Sequence, residues 1–171
     1  MEGWGMPERL DFIDRRTLHF GAGDGRWLDI KRFALPAGLG DREVVALLLQ
    51  HERYRDDYAS EPEQWTPKVN VHGPYWLSAI EAAYFDPVRA DETVELFADW
   101  AAEWEGSEEP GYPEIVAAVS ELFGPHVSVY RLRDLRETAE HAYGHVLGDF
   151  HEYVVLDRAA QTLSLAVASD D

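Results

Sequence analysis

Two periodicities divide the chain. Between residues 10 and 31 apolar positions come in short alternating runs, Leu10 with Phe12, Leu18 with Phe20, then Trp27 to Ile30. Asp14-Arg15-Arg16 and Gly21-Ala22-Gly23-Asp24-Gly25 separate them. Runs of this kind between turn residues predict the strands of an antiparallel meander. The same pattern returns near the other end, where 126–132 predicts a strand and 152–156 and 162–168 predict a hairpin around 157–161. The Gly-rich piece reads as a hairpin turn, because a dinucleotide-binding loop needs a helix after it and here a strand follows.

Helical spacing governs the middle. Residues 41–58 predict a helix opened by Asp41, with a broad apolar face of Val44, Val45, Leu47, Leu48, Leu49 and Tyr54; His51 and Glu52 read as half-buried and exposed. Helices are then expected over 75–85, stopped by Asp86-Pro87, over 91–105, and over 113–123, with Pro113 in the first turn and Gly124-Pro125 closing it. Asp134-Leu135-Arg136-Glu137 resembles a capping box opening a last helix over 135–147, with Gly148 as its stop. Residues 60–74 lack periodicity and carry Pro62, Pro67, Pro74 and Trp65. Together with His72, Tyr75 and Trp76 they gather aromatic surface that either packs where the loop crosses the core or floors a ligand pocket.

Strands at both ends with helices between predict an α+β fold: a mainly antiparallel sheet, from the N-terminal meander and C-terminal hairpin, covered on one face by a central set of helices. No repeat or low-complexity tract divides the 171 residues, so a single domain over 1–171 is expected, with residues 1–8 flexible. A hydrophobic content of 46% supports a core at this length.

Composition narrows the function classes. Cysteine is absent, which excludes disulfides, thiolate zinc sites, iron-sulfur clusters and cysteine nucleophiles, and points to the cytoplasm. The start lacks a basic and then apolar leader pattern, and no apolar run reaches the roughly 20 residues needed to cross a bilayer. Two lysines against thirteen arginines suit a high-GC bacterial genome. The 33 acidic and 15 basic residues give a formal charge of -18. That balance disfavours direct contact with nucleic acid phosphates and favours either plain solubility or a basic partner.

One arrangement singles out a surface. On the helix expected over 91–105, Phe97, Trp100, Ala101 and Trp104 form an apolar stripe, and Asp91, Glu95, Asp99 and Glu103 form a row at successive i, i+4 steps with no base among them. Like charges at that spacing repel. Residues 105–109 continue the acidity. The reading is a non-catalytic interaction domain that binds a basic protein partner, in the manner of an inhibitor, an immunity-type protein or a mimic of nucleic acid charge. The row would steer, and an exposed ring such as Trp65 or Tyr112 would anchor. No cofactor is needed. Calcium between Glu95 and Asp99 would be weakly held, since it wants six to eight oxygens.

The alternative reading is a metal-dependent enzyme or metal-binding module. Glu137, His141 and His145 fall at i, i+4 and i+8 of the helix expected over 135–147, and His151 follows a short turn later, a set that could take one zinc or manganese ion. Ala142 stands where the two-His metalloprotease motif has Glu, so a general base would have to come from Glu140 or Glu152. No Gly-x-Ser-x-Gly elbow occurs, and carboxylates are too many for an acid/base pair to stand out.

Overall fold

The computed structural model describes residues 9–21, 24–59, 62–68 and 70–170, and one six-stranded antiparallel sheet forms its centre. The expected flexibility of residues 1–8 lies outside the described residues, as do Ala22 and Gly23 of the Gly-rich turn. Strands β1 (Asp11–Gly21) and β2 (Asp24–Ala34) form the first hairpin, with Gly21 opposite Asp24. Asp14-Arg15-Arg16 is not a turn: the register slips between Phe12 and Asp14, so a bulge keeps β1 continuous. Beyond a two-stranded hairpin, β3 (Val71–His72) and β4 (Tyr75–Trp76), come β5 (Phe85–Val88), β6 (Ser128–Leu132), β7 (His151–Asp157) and β8 (Thr162–Asp170). The large sheet runs β1-β2-β8-β7-β6-β5, so the strands from both ends of the chain share it through the β2–β8 ladder.

Successive side chains of a strand point to opposite faces. On one face Leu28, Tyr153 and Val155 pack against Phe97, Trp100 and Ile115 of helices α2 (Ala90–Ala102) and α3 (Tyr112–Leu122). On the other, Phe33, Val154 and Leu165 pack against Val44 and Leu48 of α1 (Asp41–Gln50), against Tyr75 of β4, and against Tyr54, Tyr58 and Leu147 from the connecting segments. Both faces are therefore covered, where one was expected. The sequence of β8 explains it: Leu163, Leu165 and Val167 serve one layer and Ala166 and Ala168 the other, leaving no polar side for water.

Three helices form close to where periodicity places them, and two do not form. The helix expected over 41–58 ends at Gln50, because His51 turns to extended backbone (φ -75, ψ 140) and accepts the Arg53 N–H at Nδ1. Residues 75–85 hold β4 and the 3-10 turns Leu77–Ala79 and Ala82–Tyr84. Residues 135–147 hold only the 3-10 turns Glu137–Ala139 and Gly144–Val146. There the Asp134 carboxylate accepts the Arg136 N–H at 2.9 Å, and Arg136 adopts φ 67, so the expected capping box is a turn that sends the chain elsewhere. Gly144 is pressed onto Pro74, whose carbonyl oxygen occupies the place of a Cβ.

Candidate partner-binding face

Helix α2 carries the acidic row in a shorter form than expected. Asp91, Glu95 and Asp99 lie exposed along it, whereas Glu103 is its first non-helical residue (φ -60, ψ 149). Asp91 sits in the first turn, where the helix dipole favours an acid, and pairs with Arg89 at 2.6 Å. That hydrogen bond holds its carboxyl below the ordinary range. Among the described residues, Glu95, Asp99, Glu103, Glu105 and Glu108 form no ion pair.

The stripe on the opposite side keeps Phe97, Trp100 and Ala101 but loses Trp104, which stands 89% exposed. Two successive residues in the left-handed region, Trp104 (φ 52, ψ 43) and Glu105 (φ 61, ψ 23), turn the chain back and throw the indole outward. Each such non-glycine residue costs roughly 1–2 kcal/mol. Neighbouring contacts impose the conformation. The Arg26 guanidinium, held by Asp24, donates to Trp100 O at 2.6 Å and so caps the C-terminal end of α2. Gly106 closes against the same guanidinium and against Ala101 O, with no room for a Cβ. Past it, Gly111 N–H donates to Phe20 O at 2.7 Å. The turn is pinned at both ends, and its middle presents an indole flanked by Glu103 and Glu105.

Trp65, the ring expected to anchor a partner, is placed elsewhere. It is half-buried, lies under the Arg53 guanidinium at 4.4 Å, and belongs with Phe12 on the α1 side of the sheet. Tyr112 packs partly into the core beneath α2 and α3. The aromatic residue that accompanies the row is Trp104, which helical periodicity had assigned to the core. Arg26 and Gly106, which expose it, give only one sequence signal: a Gly four residues after Ala102 with no base in the last helical turn.

The set considered for metal does not assemble. Without a helix over 135–147, Glu137, His141 and His145 share no face, and among the described residues no group of three or more His, Cys, Asp or Glu is placed to hold a metal ion. His141 uses both nitrogens on backbone: Nε2 donates to Gly73 O at 2.8 Å and Nδ1 accepts from Tyr143 N at 3.2 Å. His145 is exposed. His151 is half-buried, its Nδ1 has no partner among the described residues, and burial, helped by Arg131, pulls its pKa below the usual value.

A polar cluster absent from the sequence reading lies inside the α1-side layer. Asp29 and Lys31 occupy the core-facing positions of β2 between Trp27 and Phe33, and both are buried. Lys31 Nζ lies 2.8 Å from Asp56 and 4.0 Å from Asp29; Arg15 Nε reaches Asp29 at 2.6 Å and its Nη2 reaches Asp56 at 3.2 Å. Two acids thus meet two bases. Burial draws the Lys31 ammonium below its usual pKa against the pull of Asp56 and Asp29. For Asp56 burial acts in the raising direction, but Lys31 and Arg15 outweigh it and hold the carboxyl low. Beside this cluster the buried His72 ring stacks on Tyr54 at 3.7 Å. Its Nδ1 donates to Tyr54 O, and its Nε2 meets the Glu152 carboxylate, which also accepts the Tyr54 hydroxyl at 2.8 Å. Asp29, Lys31, Tyr54, Asp56, His72 and Glu152 have 0–1% exposure and tie segment 51–76 to the sheet.

No protein-family model matches the chain, and no curated protein does. Among solved structures, the crystal structure of citrus MAF1 is similar at a TM-score of 0.42 and 12% identity, over 88% of this chain and 91% of that one. A likeness at that level leaves the geometry of the site as the ground for function. No helix among the described residues is long and apolar enough to cross a membrane.

Proposed function

We propose that this protein is a non-catalytic interaction domain that binds a basic protein partner through the exposed side of α2 and the turn at 103–109. The observation that carries the reading is the Trp104 indole, 89% exposed on a strained, pinned backbone and flanked by unpaired acids. A large ring held outward has little to gain from the fold, and a Trp within a charged surround is the composition of a binding hot spot. The acids would steer a cationic surface toward the ring, and an Arg or Lys of the partner would stack on it. Inhibition of a basic enzyme, or occupation of a nucleic acid groove in place of the acid itself, would both use such a face. A cysteine-free chain suits the reducing cytoplasm for this role.

The test is capture of basic proteins from lysate on immobilised protein, followed by association kinetics with the captured partner. Glu95→Gln with Asp99→Asn should slow association and flatten its dependence on salt. Trp104→Ala should accelerate dissociation. A partner whose binding ignores all three substitutions removes the proposal.

A further inference from the structure

Five large hydrophobic side chains are exposed among the described residues, and three of them, Trp76, Tyr143 and Val146, line one groove of about 560 Å³. It opens on the α1-side layer, away from α2, between the β3–β4 hairpin and residues 141–147. Its volume falls within the range of small-molecule sites. The walls are fixed before any ligand arrives. His141 spans them through Gly73 O and Tyr143 N, Gly144 sits against Pro74, and Tyr75 forms a bridge with Glu140. Gly73, at φ 52, is held over the Phe150 ring at a distance no Cβ would tolerate. A surface organised this closely and yet faced with a Trp and a 76% exposed Tyr is not explained by packing.

The polar groups of the groove decide what it takes. Both His141 nitrogens are occupied by backbone, so the ring adds surface without a free donor or acceptor. Asp57 is the acid in the lining, and its side chain is partly sheltered. Its Oδ1 accepts the Ala59 N–H at 3.1 Å, and among the described residues Oδ2 has only Lys68 at 3.7 Å, longer than a hydrogen bond. Electron-rich faces of Trp and Tyr beside an under-partnered carboxylate make a site for positive charge. The apolar remainder, Val71 and Val146 with the rings, asks for a hydrocarbon body attached to it. We infer that this groove binds a small organic cation with an apolar body, an alkyl- or arylammonium, whose charge meets Asp57 while its body lies against Trp76 and Tyr143. The inference stands apart from the role given to α2, since no residue is shared.

Calorimetric titration of the full chain with phenethylammonium and with phenethyl alcohol, its uncharged counterpart, tests it. The ammonium should bind roughly tenfold more tightly. Asp57→Asn should bring it down to the level of the alcohol, Trp76→Leu should weaken both probes, and Lys68→Gln, which frees Asp57, should strengthen the ammonium alone. Equal binding of the two probes overturns the inference, as does binding of neither. A preference for the ammonium that survives Asp57→Asn also overturns it, because the charge would then be sensing the potential of the whole acidic protein.

Discussion

Lys31 and Asp56 meet at 2.8 Å with side-chain exposures of 0% and 1%, joining the middle of β2 to the segment that leaves α1. Removing one partner strands a charge away from water, which costs roughly 3–5 kcal/mol, whereas replacing both by apolar residues of similar volume is often neutral. Lys31→Met and Asp56→Leu should each lower stability by an amount near the bottom of that range, since Arg15 and Asp29 offer partial compensation. The double variant should recover most of the loss. Urea unfolding of the four proteins closes the cycle. Single losses under about 1 kcal/mol would show that water reaches the pair.

The pin beneath Trp104 separates two roles that ordinary mutagenesis would blur. Trp104→Ala removes an exposed ring from a backbone it does not support, so stability should stay within about 0.5 kcal/mol. Gly106→Ala forces a Cβ onto Ala101 O and the Arg26 guanidinium, and should cost about 1–3 kcal/mol, as overpacking does. Melting curves decide. Equal losses would mean that the indole is a structural element, and the case for a partner would weaken with it.

His151 gives the fold a pH dependence of definite sign. Its pKa in the folded protein lies below the usual 6.5 because burial, with Arg131 nearby, opposes protonation against the weaker pull of Asp149 and Asp170. Between that lowered value and 6.5 the unfolded chain binds more protons than the folded one, so stability is full above 6.5 and declines as pH falls below it. His51, also lowered chiefly by burial, acts in the same direction. His151→Asn should flatten the decline between pH 6.5 and 5 without removing it, measured as the slope of melting temperature on pH. An unchanged slope would place the proton uptake elsewhere.

Periodicity recovered α2 and α3, which bury one face each, the first part of α1, and the strands β1, β2, β6, β7 and β8, whose apolar runs are bounded by turn residues. Where it failed, a spacing had two meanings. Leu77 and Ile80 are three apart, which suits a 3-10 turn as well as an α-helix. Gly144 inside the segment expected to be helical was a warning, since glycine costs a helix about 1 kcal/mol, and its real reason is the approach to Pro74. The buried charges were partly legible. Asp29 and Lys31 keep the period-two register of Trp27 and Phe33, and Tyr54, Asp56 and Tyr58 alternate likewise, but the meeting of the two segments depends on a chain crossing that no local pattern encodes. At the candidate face the acids were found and the ring was not, because the outward turn of Trp104 is imposed by Arg26, 78 residues earlier in the sequence.

His141 and His145 provide the sharpest contrast between a structural and a metal-binding role for residues 137–151. If they held one ion, either substitution to Ala would abolish metal-dependent stabilisation alike. In the structure they differ: His141 makes one hydrogen bond to Gly73 O of the β3–β4 hairpin and accepts a second from Tyr143 N within its own segment, and His145 is exposed. His141→Ala should therefore cost about 1–2 kcal/mol, near the worth of two hydrogen bonds, and speed amide exchange across residues 141–147. His145→Ala should change neither. The same measurements with zinc added give the opposing outcome its chance: a rise in melting temperature that both substitutions erase would restore the metal site and require this segment to rearrange around it.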